Sequence, residues 1–333
     1  KKKNQEEGNR GRNTLLEFIK SCGKERDMPK ARRLHSEAIQ KNFIPNDIYV
    51  TTALLSTYLK CGSIKEAENV FKELLVRDTV SWNALMCGYA NHGQDHEAIE
   101  SFKKMQEGGV PPDAISFLCL MKVCGSMGNI ERGEEIHAQV RKLLVVEKDV
   151  VLGGAVVDMY GKCGLVKDAL SVFRKIGQQD ITLWNAMLTA CAKNGHGAAT
   201  LTLFYQMYKD GFTPNTVSFI CVLTVCSHMG WVEDGRRHFT SLYKEFNTRP
   251  TLEHCACMID VLGRAGCLEE AEDLVDTMPV VVLLSIWTSL LSACRIHGDV
   301  HRGSRIANYF SEFDAMDPRS YLLLADIYAA ESG

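Results

Sequence analysis

His254, Cys255 and Cys257 carry donor types that hold zinc, and the chain's 13 cysteines and 10 histidines include no closer cluster in sequence. Their spacing argues against a metal site. Neighbouring positions on one helix point in different directions, so these side chains cannot close a tetrahedral shell alone. They are expected to be buried or half-buried helix residues, and no cofactor is implied. The cysteines are odd in number and lie mostly inside apolar helical patterns, which predicts free thiols in a reducing compartment rather than a disulfide framework. No Gly-rich loop follows a predicted strand, and the scattered His, Asp and Ser residues form no recurring constellation. The sequence predicts no catalysis by this chain.

What recurs is larger than a catalytic motif. Tyr58-Leu59-Lys60-Cys61-Gly62 returns 102 residues later as Tyr160-Gly161-Lys162-Cys163-Gly164 and, degraded, as Leu262-Gly263-Arg264-Ala265-Gly266. Cys22, Cys124 and Cys226 keep that interval, as do Trp82-Asn83 and Trp184-Asn185. The chain is a tandem array, which disfavours a globular enzyme with one pocket. Within each period the pattern divides into helical hairpins. Tyr49 to Leu59 has apolar residues at helical spacing, Gly62 can take the left-handed conformation that ends a helix, and Ser63 with Glu66 is expected to form a capping box. The next helix, Ile64 to Leu75, puts Ala67, Val70, Phe71 and Leu74 on one face, and Ala67 recurs as Ala169 and Ala271 where helices must approach closely. The Trp-Asn and Asp landmarks set units at 12–47, 48–78, 79–113, 114–149, 150–180, 181–215, 216–251 and 252–283. Lengths of 36, 31 and 35 alternate in fixed order through the first seven units, and the last has 32. No single hairpin buries enough surface to be stable, so the expected fold is all-α, a right-handed superhelical α-solenoid with the first helices lining its inner face.

Composition narrows the partners. With 38 basic and 41 acidic residues the formal charge is −3, which excludes gripping nucleic acid mainly by charge. The first 33 residues are richer in Lys and Arg, among them Arg12, Lys20, Lys24, Lys30 and Arg32, a solvated terminus or a segment able to lie along a phosphate backbone. The longest apolar candidate, Val280 to Trp287, is far short of a membrane span, which predicts a soluble protein with no membrane partner. A chain starting Lys1-Lys2-Lys3 without an apolar leader is expected to lack a targeting segment or to have it outside this sequence.

The stretches "VSWNALMCGY" (80–89), "TLWNAMLTAC" (182–191), "YGKCGLVKDALSVF" (160–173) and 252–279, in units of 35, 36 and 31 residues, resemble the pentatricopeptide repeat family. The alternation of lengths is similar to its plant-type subclass of long, short and standard motifs. "IWTSLLSACRIHGDV" (286–300) and "SYLLLADIYAAESG" (320–333) are similar to the first and second extension motifs that follow such arrays. The resemblance implies a basic tail at 1–11, a repeat solenoid at 12–283, a first extension at 284–317 and the start of a second at 318–333. It also implies single-stranded RNA binding in a mitochondrion or chloroplast, one nucleotide per unit, read by the fifth residue of the first helix and the last residue of the unit.

Carried onto this sequence, that rule pairs Thr52 with Asp78, Asn83 with Asp113 and Asn185 with Asn215. The implied bases are G, U, and C or U, at the tenth, ninth and sixth nucleotides upstream of an edited C. Gly154 with Asp180 and Ala256 with Leu283 are incomplete pairs, and Leu16, Leu118 and Ile220 cannot hydrogen-bond a base edge. Tyr49, Val80 and Thr182, one turn earlier, are implied to flank the bases. For Asn83 and Asn185 the other reading is that they cap or bridge hairpins, and Trp82 and Trp184 are expected in the core.

The functional expectation is a guide for C-to-U editing of organellar transcripts. A deaminase would come from a downstream segment or from an editing-complex partner recruited through the extension. His35-Ser36-Glu37 matches the deaminase HxE by letter, but no Cys-x-x-Cys follows, and a chance match inside a helix is the expectation. The run Val280-Val281-Val282-Leu283-Leu284 is either a partner-docking patch, or a local helix extension or simple divergence. The alternative function is a structural scaffold in an organellar ribonucleoprotein.

Overall fold

A computed structural model describes residues 2–143, 149–278 and 284–313, with side chains placed over 11–142, 149–278 and 286–306. Every described element is an α-helix, and they come in hairpins. The described residues up to Gly177 form one compact unit and those from Gln178 another. In the first, the successive hairpins are α1 (Lys2–Glu25) with α2 (Met28–Gln40), α3 (Ile48–Lys60) with α4 (Ile64–Glu73), and α5 (Thr79–Asn91) with α6 (Asp95–Glu107). They continue with α7 (Ala114–Met127) and α8 (Ile130–Leu143), then α9 (Val150–Lys162) and α10 (Val166–Lys175). The second unit pairs α11 (Ile181–Lys193) with α12 (Gly197–Lys209) and α13 (Thr216–Met229) with α14 (Val232–Lys244). It ends with α15 (Leu252–Arg264) and α16 (Leu268–Asp276), then α17 (Leu284–His297) and α18 (Val300–Phe313). Within each unit a first helix packs on its own partner and on the first helix of the next hairpin, which is how a stack of hairpins acquires a continuous core.

The first helices from α3 to α15 start at 48, 79, 114, 150, 181, 216 and 252, the same residues at which the landmarks divide the sequence. Each start is set by the residue just before it. Asp47, Asp78, Asp113, Asp149, Asp180 and Asn215 all accept a backbone N–H from the first turn of the following helix. Such a cap contributes about 1 kcal/mol. At α15 the cap is Thr251, whose backbone N–H donates to His254 Nδ1 at 3.0 Å. At the other end of three equivalent helices, Gly62, Gly164 and Gly266 hold φ of 81°, 81° and 79°, a left-handed turn that side chains resist.

The capping box expected at Ser63 is not formed. Ser63 Oγ donates to Glu66 Oε2 at 2.9 Å instead of capping the backbone, and Arg32 Nη2 holds the same carboxylate at 2.9 Å, so Glu66 is engaged away from the helix start. The apolar face of α4 is as expected: Ala67, Val70, Phe71 and Leu74 are buried, and Ala67, Ala169 and Ala271 are wholly inaccessible. So are Cys22, Cys124 and Cys226, whose thiols are pushed up in pKa by that burial. Trp82 is edge-on to Phe71 at 4.7 Å and Trp184 lies 6.0 Å from Phe212, both in the core. Among the described residues no helix is long and apolar enough to cross a membrane. The aliphatic side chains of 280–284, Leu283 among them, and all of 318–333 lie outside the described residues.

Candidate functional site

The fifth residue of a first helix lies just over one turn inside that helix, while the last residue of the unit caps the next first helix. The two meet only where first helices pack side by side. At 79–113 they do: Asn83 Nδ2 donates to Asp113 Oδ1 at 2.8 Å, and Ser116 Oγ donates to Asn83 Oδ1 at 2.6 Å. At 181–215 the bonds repeat, Asn185 Nδ2 to Asn215 Oδ1 at 3.0 Å and Ser218 Oγ to Asn185 Oδ1 at 2.7 Å. Each serine also completes a capping box, accepting the backbone N–H of Asp113 or Asn215 at 3.1 or 3.2 Å and returning its own N–H at 2.9 or 3.3 Å. Asn83 and Asn185 are only 5% and 8% exposed, so the bridging role foreseen for them is real whatever else they contact.

The two copies differ in what they leave unused. Burial pushes the Asp113 carboxyl up, but bonds accepted from Ser116 and Asn83 outweigh it and hold the group below the usual carboxylate range. Asp113 is therefore ionised at neutral pH, and its Oδ2 has no hydrogen bond to a described residue. Asn215 turns its oxygen to the N–H groups of Val217 and Ser218, which leaves its NH2 without a partner among the described residues. One pair thus offers an N–H and a carboxylate oxygen, the other N–H groups only.

Thr52 and Asp78 are not bonded to each other. Asp78 accepts from Ser81 N at 2.9 Å, Ser81 Oγ donates to the Asp78 carbonyl, and Thr52 Oγ1 is buried with no hydrogen-bond partner among the described residues. Both line a cavity of about 750 Å³ between α1, α3 and α5, together with Tyr49 and Val80. Lys20, Lys24 and Lys60 also line it. Arg12 stacks 5.2 Å from the Tyr49 ring and is ion-paired to Asp47. The basic N-terminal segment thus divides: Lys30 and Arg32 are bound to Glu25 and Glu66 away from the cavity, Lys20 and Lys24 face it, and Arg12 lines it while paired to Asp47.

Tyr49 is 70% and Val80 62% exposed, and Thr182 is exposed as well. Three further residues share their place at the second helical position and were missed in the sequence: Ile115, Val151 and Val217, all exposed. The available signal was an apolar or aromatic residue two past five of the seven caps from Asp47 to Thr251. Gly154 leaves its fifth position open, since a Cβ there would meet nothing within 4 Å. Asp180 caps α11 through Leu183 N at 2.8 Å. Ser116 and Ser218 were also missed, although Asp113-x-x-Ser116 and Asn215-x-x-Ser218 repeat at the long period.

The metal and deaminase look-alikes have packing roles. His254 has Thr251 on Nδ1 and the Thr216 carbonyl 3.0 Å from Nε2, while Cys255 and Cys257 are half-buried. His35 Nδ1 meets the Tyr58 hydroxyl at 2.9 Å, and His137 repeats this with Tyr160 at 2.9 Å. Burial lowers both imidazole pKa values. Among the described residues no group of three or more His, Cys, Asp or Glu is placed to hold a metal.

Two family descriptions match the sequence: "PPR repeat family" over 77–126 and 179–228, and "PPR repeat" over 49–78, 154–181 and 254–280. Among curated proteins, the chain is 36% identical over 319 residues to pentatricopeptide repeat-containing protein At4g33170 of Arabidopsis thaliana, covering 96% of this chain and 32% of that protein. At5g56310 of the same plant is 37% identical, with 90% of this chain and 62% of that protein covered. A third relative, At1g08070, chloroplastic, is 33% identical over 95% of this chain and 43% of its own length. The chain thus spans between about a third and three fifths of these relatives. In fold it is similar to the crystal structure of the pentatricopeptide repeat protein PPR10 in complex with an 18-nt psaJ RNA element, at TM-score 0.73, 17% identity, and coverage of 90% of this chain and 45% of that one.

Proposed function

The chain belongs to the pentatricopeptide repeat family, and on that premise we propose that it binds single-stranded RNA sequence-selectively and so guides transcript processing in a plant organelle. The observation that carries this reading is the pair of equivalent networks whose free hydrogen-bonding groups differ. Uracil presents N3–H beside a carbonyl, which suits the Asn83 amide N–H and the unused Asp113 Oδ2. Cytosine presents O2 and N3, both acceptors, which suits the N–H groups of Asn185 and Asn215. Guanine offers donors at N1 and N2 to the Asp78 carboxylate, and its O6 can accept from the unpartnered Thr52 hydroxyl once that buried group rotates toward the cavity.

Exposed apolar residues at the second helical position supply faces on which neighbouring bases can rest, a contact worth about 1–3 kcal/mol per base where the platform is aromatic, as at Tyr49. Lys20, Lys24 and Lys60 are candidates for the phosphates between them. The finer reading is C-to-U editing. On it the chain supplies the address, and a deaminase is supplied by a downstream segment or recruited through the extension at 284–317 and 318–333, in mitochondrion or chloroplast. A relative named chloroplastic supports an organelle.

A scaffold role is favoured by one observation, the near-complete burial of Asn83 and Asn185 in bonds that serve the fold. Selection from randomised RNA separates the two. Enrichment of G directly followed by U, with C three nucleotides further on, is expected for the guide, while absence of any base preference would leave the scaffold.

A further inference from the structure

We propose that Ser116 and Ser218 are positioning residues for base selection: each locks the amide of Asn83 or Asn185 with its oxygen turned into the protein, so that an N–H alone is offered to the base. This inference rests on base reading by those two asparagines and adds the residue that decides which face of the amide does the reading.

The bonding leaves little choice. Both serines are wholly buried, so their hydroxyls must find partners within the protein. Each Oγ accepts the N–H of the cap residue, Asp113 or Asn215, at 3.1 or 3.2 Å, and has one proton to give. Two oxygen acceptors lie in reach, and Ser218 has in addition the weakly accepting Met207 sulfur at 4.0 Å. The asparagine Oδ1 is at 2.6 or 2.7 Å and the cap Oδ1 at 3.1 or 3.2 Å, and the cap oxygen already accepts a backbone N–H and the asparagine Nδ2. The proton therefore goes to the asparagine. That holds Asn83 Oδ1 and Asn185 Oδ1 against a buried hydroxyl, while one N–H of each amide is held by the cap oxygen. One N–H remains on each side chain.

The third reading pair provides an internal contrast. Ser81 follows Asp78 at the same spacing, but its hydroxyl donates to the Asp78 carbonyl at 2.9 Å, and Thr52 Oγ1 is left with no bond to a described residue. A serine at this position is thus compatible with helix capping without the relay. The relay occurs at the two units whose fifth residue is an amide, the side chain with two interchangeable faces.

Removal of the hydroxyl frees an acceptor on the reading amide. At Asn185 that oxygen can take the N3–H of uracil, and at Asn83 it can take the N4–H of cytosine, in each case admitting the wrong pyrimidine. Binding of the chain to RNA oligonucleotides that differ only at the two facing nucleotides tests this. Ser218→Ala should reduce the C-over-U preference opposite Asn185 about fivefold, the worth of one net hydrogen bond, and leave the U-over-C preference opposite Asn83 intact. Ser116→Ala should do the converse, and Ser→Thr at either place should restore the preference because the hydroxyl returns.

The unaffected pair serves as the folding control in each variant. If one serine variant loses both preferences together with its melting transition, the other carries the test. Equal weakening for every base, with preferences retained, would overturn the proposal and leave the serines as capping residues. Asn185→Ala completes the set: loss of preference there with no effect of Ser218→Ala overturns the relay alone. If Asn185→Ala leaves preference unchanged, the underlying base reading fails and the relay falls with it.

Discussion

Hairpins 79–113 and 181–215 stand 102 residues apart and are built from the same parts: a buried Trp, an Asn at the fifth position, a capping residue and a serine three positions on. They differ at the capping residue by a single atom, the oxygen of Asp113 against the nitrogen of Asn215. Both caps hold their helices and both receive the asparagine amide. The atom that differs is the one the fold does not use, so the exchange leaves the scaffold alone and alters what is offered to a ligand. Structure and selectivity are separable here because they use different atoms of one side chain.

The sharpest way to break this comparison is to exchange the atoms. Asp113→Asn with Asn215→Asp should move the first site from U to C and the second from C to U. The U:C ratio at each would swing about a hundredfold, tenfold lost and tenfold gained, which corresponds to roughly 2.7 kcal/mol. Binding to four RNAs carrying U or C at the two places measures it. Retention of the original preferences in the exchanged protein would mean that the caps do not read.

A second difference between the copies is steric. Gly88 packs so closely on Leu59 that an added Cβ would lie 2.5 Å from its methyl carbons, and the equivalent sequence positions hold Ala190 and Gly161. Gly88→Ala should cost a net of about 1 kcal/mol, overpacking of about 2 kcal/mol less the roughly 1 kcal/mol that Ala gains over Gly inside a helix. In the Leu59→Ala background the same substitution should cost less, because the two side chains compete for one space. Thermal melting of the single and double variants gives the coupling, and additive losses would refute it.

How much of this was legible in sequence depends on the residue. Helix starts were, because caps and landmark residues recur and each local choice agrees with the next. The apolar face of α4 and the left-handed Gly62 were legible for the same reason. Ser63 was misread, since the pattern of a capping box does not reveal that Arg32 from another hairpin draws Glu66 away. The reading pairs came by resemblance, and neither composition nor periodicity would have told Asn83 from an ordinary buried amide. The relay serines were hidden because a serine three past a cap has a sufficient local explanation. Its second bond crosses to a helix 33 residues away.

The shared capping role predicts a third effect that should be equal in the two copies. Asp113→Ala and Asn215→Ala should each cost about 1 kcal/mol of stability at neutral pH, the usual worth of a side-chain cap. Denaturant unfolding of the two variants measures this. A clearly larger loss for either would show that the equivalence of the networks stops at geometry.

The smallest effect is also the one that distinguishes the copies without any ligand. Asp113 titrates below its ordinary range in the folded protein because Ser116 and Asn83 donate to it, whereas Asn215 has no charge to lose. A carboxyl whose folded pKa is depressed contributes stability that is complete above its unfolded pKa, about 3.9, and is lost as pH falls through the folded value. Asp113 should therefore add to the acid sensitivity of the chain below about pH 4, and Asp113→Asn should flatten that part of the stability curve. Asp47, held low by Arg12, contributes in the same window, so the slope should fall without vanishing. The reverse substitution, Asn215→Asp, should steepen it. Melting temperatures between about pH 3 and pH 6 for the three proteins decide the matter. Parallel curves would mean that the bonds accepted by Asp113 do not favour its charged form, and the distinction between the two caps would then rest on the ligand alone.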